Sequence, residues 1–374
     1  MSPYSVCHIT SVHPAFDVRI FHKECTSVAR AGYKTVLIAT DCEACIKSGV
    51  FIKSVSHRRG GRVKRIFLTA WRVYRKGVAE NADLYHFHDP ELLPFGFLLK
   101  VRGKKVIYDA HENVPEDILA KDWIPRPFRR LISSLVKFLE NWIAKRLDCV
   151  VAATPSIYNR FKVQNCNVVN VNNYPIIGEL LFNGNNNSIT SNSICYVGAI
   201  DEYRGIREMV AAVYKSGMIL LLAGDFSPKA LRDEIVKIEG WHHVKEFGRV
   251  SRREVAQIFR ESIAGLVIFH PGPNHTDSQP NKLFEYMSAN LPIIASNFPL
   301  WKEIIEGNQC GICVDPLNLE EISNAIKWIH ENPTKAAEMG KNGYRAVVDK
   351  YNWDFESKKL LNLYSHLLFT DCSI

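Results

Sequence analysis

The chain has 374 residues, of which 47% are hydrophobic and 23% charged, with a formal net charge of +8. That length exceeds one ordinary core and points to two domains, and the composition excludes a disordered chain. No apolar run is long enough to span a bilayer. The N-terminus MSPYSVCHITSV has no basic region leading into an apolar stretch, so a cytoplasmic location with the 10 cysteines reduced is expected.

In chain order, short β-rich runs alternate with longer helical ones: YSVCHIT, KTVLIAT, VFIKSV, DLYHFHD, KKVIYDA, DCVVAAT and VVNVNN. This is the rhythm of a parallel sheet wrapped by helices. The polar tract FNGNNNSITSNS then breaks all periodicity, as a linker does, and the alternation resumes with SICYVGA, MILLLAGD, VKEFG, GLVIFHP, LPIIAS and GICVDP. The expected architecture is α/β with two doubly wound parallel sheets: a domain over 1–178, a linker over 179–193, a domain over 194–350 and a final helical segment over 351–374. Two C-x-x-C pairs, Cys42/Cys45 and Cys310/Cys313, fall in opposite halves and read as packed thiols rather than a shared zinc site.

Open parallel sheets bind ligands beyond the carboxyl ends of their strands. The residues there are unusually polar: HPAFDVR, HFHDPE and DAHENVPED in the first half, GAIDEYRG, GDFSP, GRVSR and PGPNHTDSQPNKLFEYMSAN in the second. In the last stretch a helix is expected to begin near Pro280, with the N–H groups of Asn281, Lys282 and Leu283 forming an anion site and Lys282 adding a charge. Glu285 lies inside that helix and Asp277 in the loop before it; the plainer reading is a Pro-initiated helix with an exposed acid. Gly198 would let backbone approach a phosphate closely. His86 and His88 share one strand face, and with Asp89 they read as acceptor-site residues, structural residues or metal ligands. No Asp-x-Asp pair is present to hold a divalent ion against a diphosphate.

Charge is divided unevenly, with 27 Lys and Arg against 15 Asp and Glu over residues 1–178, and 20 against 24 over residues 179–374. A basic half suits an anionic partner; lipid headgroups rank ahead of nucleic acid, for which no helix-turn-helix, zinc-finger or RNP-like pattern is found. Between Glu43 and Glu80 there are 10 basic residues and no acid. In that region RVKRIFLTAWRVYRKGV places Ile66, Phe67, Ala70, Val73 and Tyr74 at helical spacing. A second segment, RPFRRLISSLVKFLENWIAKRL, aligns Phe128, Leu131, Leu135, Leu139 and Trp142. Each is either a core-facing helix with a solvated basic face or a docking helix for an anionic membrane, and the exclusion of acids, with Glu140 as the only acid of the second segment, favours docking.

YHFHDPELLPFG, VIYDAHENVPEDI, YVGAIDEYRGI and PNKLFEYMSANLPIIASN occur in the order and spacing of the retaining nucleotide-sugar glycosyltransferases of the GT-B fold, the large family numbered four, which the chain resembles over nearly its whole length. The resemblance implies two Rossmann-like domains facing across a cleft, the first on the acceptor side and the second binding a nucleotide diphosphate-sugar donor, with the final helix crossing back toward the first domain. It implies no cofactor and no metal. It places Asp277 at the donor sugar, Glu285 on the ribose, Arg204 on the diphosphate, His111 facing the reacting sugar, and Arg249 and Val250 at the base. The pattern departs from the family at Asp277, shortened from the usual Glu, and at Ala199, where an arginine is common. HPAFDVRIF replaces a Gly-rich loop, so Asp17 and Arg19 are expected to shape the donor or acceptor pocket. The setting implied is bacterial O-antigen or capsule assembly on a lipid-linked glycan acceptor at the inner face of the cytoplasmic membrane. The alternatives are a nucleotide-sugar 2-epimerase of the same fold and a non-catalytic subunit that binds membrane or sugar.

Overall fold

The computed structural model describes residues 4–56, 62–120, 124–181, 191–272 and 275–369. The chain forms two compact units, Met1–Asn173 with Trp353–Ile374, and Tyr174–Asn352. The division after Asn173 has a packing reason: the Tyr174 ring lies 4.7 Å from that of Phe284 and 5.3 Å from that of Tyr351, both in the second unit. Most of the expected linker, residues 182–190, lies outside the described residues.

The first unit holds an eight-stranded sheet in the order β3-β4-β2-β1-β5-β6-β7-β8. Its strands are β1 (Ser5–Pro14), β2 (Lys34–Thr40), β3 (Cys45–Lys47), β4 (Val50–Val55), β5 (Leu84–Phe87), β6 (Lys105–Ala110), β7 (Cys149–Ala152) and β8 (Val168–Asn170). Only β3 runs antiparallel, paired to β4 across a turn in which Ser48 and Gly49 both take positive φ. It is an exposed edge of three residues, Cys-Ile-Lys, too short to show a period, and the sequence does not reveal it.

The period of two along each strand sorts the side chains. Cys7, Ile9, Tyr85, Phe87, Val106 and Tyr108 join one apolar core. The alternate residues of these strands, His8, His86 and Asp109, are equally buried. The result is an apolar face and a polar buried face on the same three strands. The helix Trp353–Phe369 packs with this unit, where Tyr364 meets His8 and His86, Trp353 donates from Nε1 to Ser27 Oγ at 2.9 Å, and Glu356 accepts the Asn172 N–H at 2.9 Å.

The two basic segments are both helical but unlike. In Arg62–Ala79 the stripe residues Ala70, Val73 and Tyr74 are buried in the core, while Phe67 of the same stripe is 65% exposed. Ile66 and the side chains of Arg62 and Arg65 lie outside the described residues, as do Arg58 and Arg59. In Arg126–Ala144 the arrangement is inverted: Ser133, Glu140, Ile143 and Ala144 face inward, while Leu131 (68% exposed), Phe138 (64%), Phe128, Leu135, Leu139 and Trp142 are open to solvent. The inward Glu140 is held by Tyr108 and Arg160. No described helix is long and apolar enough to cross a membrane.

The second unit holds six parallel strands in the order β11-β10-β9-β12-β13-β14, which is the doubly wound order. They are β9 (Ser193–Val197), β10 (Ile219–Ala223), β11 (Val244–Gly248), β12 (Gly265–Val267), β13 (Ile293–Ser296) and β14 (Gly311–Val314). One continuous apolar core covers both sheet faces. At the carboxyl ends, Gly198 and Gly224 take φ of 138° and 141°, and a Cβ on Gly224 would lie 1.8 Å from the Gly198 carbonyl oxygen. Only glycine lets these two loops approach so closely.

Candidate active site

In the first unit, polar residues converge on Asp109 at the end of β6. Its carboxylate accepts from Arg19 Nε at 3.0 Å and Nη2 at 2.7 Å, from His88 Nδ1 at 3.1 Å and from His111 Nε2 at 2.6 Å. Burial opposes its charge, but Arg19 and His111 outweigh that and hold the carboxyl well below its usual range. Arg19 is itself buried and also donates to Val171 O at 2.9 Å. It stands on the wide helical segment Val18–Cys25, whose start is capped by Asp17 accepting the N–H groups of Arg19 and Ile20. Asp17 thus shapes this loop, and Arg19 points inward to the carboxylate.

Glu24 follows on the same segment, 3.1 Å from Arg19 Nε. Burial and the neighbouring Asp109 push its carboxyl well above the usual range. His86 and His88 are fully enclosed, and burial lowers the basicity of both and of His8, so all three are neutral imidazoles. Asp89 is also buried, accepting from Thr10 Oγ1 at 2.9 Å, with His13 Nε2 at 3.4 Å from its other oxygen. His111 is partly exposed, at 15%, with its ring 5.1 Å from that of the more exposed His13, at 32%. His8, Glu24, His86 and His88 bring potential metal-ligand atoms within 4.8 Å of one another, as do His88, Asp109 and His111. The imidazoles spend their nitrogens on each other, on Tyr364 and on Asp109, except His86 Nε2, which is buried without a hydrogen-bond partner, and Arg19 already supplies a positive charge beside Glu24.

In the second unit the polar groups lie at the strand ends above an apolar core. Lys282, in the second position of the helix Asn281–Ser288, is 9% exposed. Its Nζ donates to Tyr196 OH at 2.7 Å and lies 3.9 Å from the Tyr196 ring centre and 5.0 Å from that of Phe269. Burial, and then Arg204, drive its basicity well below the usual lysine range. A Cβ on Gly198 would lie 3.0 Å from Nζ, so the glycine leaves room beside the cation. Arg204 follows β9 in a short turn, pairs with Asp201 at 2.8 Å and stands 5.7 Å from the Phe269 ring centre. Leu283 donates its N–H to Pro280 O at 3.1 Å and buries its side chain, which leaves Asn281 and Lys282 as the backbone donors of the helix start.

Glu285, one turn on, accepts from Arg252 Nη1 at 2.7 Å, and Arg252 also grips Glu179 through Nε and Nη2, each at 2.9 Å. The two carboxylates outweigh burial and keep Arg252 charged. Asp277 is exposed on the turn before the helix. Arg249 is 84% exposed and pairs with Asp225 at 2.7 Å, a solvated pair that adds little to stability. Val250 packs on the core.

The second unit therefore brings Gly198, Arg204, Asn281 and Lys282 around one small volume, with Glu285 a turn farther along the helix. Sequence reasoning missed Tyr196, Arg252 and Glu179 here, and His8, His13, Glu24 and Tyr364 in the first unit. His8 alone carried a readable signal, a histidine alternating with apolar residues on a central strand.

Residues 18–167 match the family Glycosyltransferase Family 4, and residues 179–346 match the family Glycosyl transferases group 1. A sucrose synthase of Melioribacter roseus is 29% identical over 85 residues, and that match spans 22% of this chain and only 11% of the relative. Among solved structures, the sucrose-phosphate synthase of Thermosynechococcus elongatus superposes with a TM-score of 0.78 at 19% identity, covering 98% of this chain and 100% of the other. Anabaena HepE in complex with UDP-glucose superposes with a TM-score of 0.72 at 13% identity, covering 97% and 99%. At such identities the structural likeness is one of fold.

Proposed function

We propose that this chain, a protein of GT-B architecture built from two glycosyltransferase family domains, moves a sugar from a nucleotide diphosphate-sugar to a hydroxyl with retention of configuration and without a metal. The observation that carries this reading is Lys282: a buried lysine that forms no ion pair among the described residues and is set at a helix start beside a glycine loop. Burying a cation without a counter-charge is costly, and a diphosphate supplies that charge. In this reading Lys282, Arg204 and the N–H groups of Asn281 and Lys282 hold the diphosphate and stabilise it as it leaves. Glu285, steadied by Arg252, accepts from the ribose hydroxyls. Asp277 and His111 are assigned to the sugar. Arg249 and Val250 are assigned to the base, and Asp89 with His13 to the acceptor. HepE binds UDP-glucose, which makes UDP and its sugars the first probes.

We assign the acceptor to a lipid-linked glycan of a bacterial surface polysaccharide, O-antigen or capsule, met at the cytoplasmic membrane. The outward apolar face of Arg126–Ala144, flanked by Arg126, Arg129, Arg130, Lys137, Lys145 and Arg146, supports docking on anionic lipid. The nucleotide site is tested by calorimetric titration of UDP, GDP and ADP into the wild-type chain and Lys282→Met. One nucleoside diphosphate is expected to bind, with affinity falling at least about tenfold in the variant. Equal affinity in both proteins, or no binding of any of the three, overturns the reading.

A further inference from the structure

The hydrogens of the buried histidines in the first unit can be placed by elimination. Asp109, ionised beside Arg19, can only accept. His88 therefore carries its proton on Nδ1, which donates to Asp109, and its Nε2 is a lone pair. His8 Nδ1 lies 3.0 Å from that Nε2, with the two ring planes only 10° apart, so His8 donates from Nδ1 and its own Nε2 is a lone pair. Tyr364 OH, 3.2 Å from His8 Nε2, donates there. The Tyr364 oxygen then accepts from His86 Nδ1 at 2.7 Å, which leaves His86 Nε2 as an acceptor. His86 Nε2 is buried and has no hydrogen-bond partner, as the end of such a chain should be. At the other end Asp109 accepts from His111 Nε2 at 2.6 Å, which places a proton on that nitrogen.

We infer that Tyr364, His8 and His88 are positioning residues for His111, acting through Asp109 along one directed chain of hydrogen bonds. Reversing any imidazole sets two lone pairs against each other at the next link, so the direction is cooperative. Arg19 anchors the chain by keeping Asp109 charged. The role for catalysis rests on the proposed reading that His111 meets the sugar; the tautomer pattern does not. The consequence is that a hydroxyl on the last helix of the chain influences the reacting group while touching neither sugar nor nucleotide.

The test is a long-range ¹⁵N–¹H spectrum of the histidine-labelled full chain, paired with kinetics. Wild type should show His8 and His88 protonated on Nδ1 and His111 on Nε2. His88 in the Nε2–H form, or His111 in the Nδ1–H form, overturns the chain outright. Tyr364→Phe should release the His8 tautomer and lower kcat severalfold with UDP affinity unchanged. Asp109→Asn should lower kcat by about 10²-fold and scramble the His111 tautomer. Should Asp109→Asn not fold, the wild-type spectrum and Tyr364→Phe decide alone. Full kcat in Tyr364→Phe removes the positioning role. Full kcat in His111→Ala instead removes the functional reading and leaves the tautomer pattern standing.

Discussion

The two units solve the same problem in opposite ways. Each is a sheet of parallel strands, with one short antiparallel edge strand in the first, and carries polar groups at the carboxyl ends of its strands. The first unit draws those groups inside, where Arg19, Glu24, Asp109, His8, His86 and His88 are all buried and linked by ion pairs and hydrogen bonds along one sheet face, with His86 Nε2 left without a hydrogen-bond partner. The second keeps both faces apolar and leaves its polar groups at the rim, with Lys282 as its one buried cation among the described residues. A closed network is rigid and sensitive to any charge change within it, whereas a lone buried cation is poised to respond to an anion.

The sharpest way to break this contrast is Arg19→Met. It leaves Asp109 and Glu24 buried without their cation and should cost about 3–5 kcal/mol of stability. Denaturant unfolding should show this loss, while UDP binding through Lys282 persists under native conditions. Loss of UDP affinity in the folded variant would mean that the two sites are not independent.

Acid should act on the first unit. His8, His86 and His88 are held below the ordinary histidine value of about 6.5, so the unfolded chain takes up protons that the folded one refuses. Their contribution is complete above that pH and is lost as pH falls, by up to about 1.4 kcal/mol per pH unit for each histidine. Glu24, held above its usual range, runs the other way and cancels about one histidine's share over part of that window. Stability followed from pH 7 to 5 should therefore fall, and His86→Phe should flatten the slope. A flat profile in wild type would show the histidines are not buried neutral.

In the second unit, Glu285→Gln should weaken UDP binding about tenfold by loosening the Arg252 pairing and the ribose contact. Asp277→Asn should leave UDP affinity nearly intact and lower turnover. Equal loss of affinity in both would reverse the assigned roles. The smallest effect concerns the outward helix: Leu131→Ser with Leu135→Ser should reduce co-sedimentation with anionic vesicles and leave turnover of a soluble acceptor unchanged. Equal binding to neutral vesicles by wild type would rule out the anionic surface.

Much of this fold was legible because strands buried on both faces read as continuous apolar runs, and 13 of the 14 strands fall on β-rich runs, even the half-exposed β11. The exception, β3, buries nothing. The candidate site of the second unit was legible for the same local reason: Lys282 and Glu285 sit on one short helix capped by Pro280, and Gly198 and Arg204 lie just after one strand. The buried network was not, because Arg19, Asp109 and Tyr364 meet only in three dimensions, and a chain of hydrogen bonds leaves no period in the sequence. The two basic helices were indistinguishable because an amphipathic stripe looks the same whether it faces a core or a lipid. Burial of Val73 and exposure of Leu131 separate them.

The most direct test of sugar transfer is to incubate the full chain, in EDTA, with a panel of nucleoside diphosphate-sugars beginning with UDP-glucose and a bacterial lipid extract, and to read the anomeric configuration of the product by NMR. A glycosylated product with the donor's configuration retained, released nucleoside diphosphate in equal amount, and loss of both in Lys282→Met are expected. An inverted product, activity only on adding a divalent metal, or no turnover of any donor would contradict the proposed transfer.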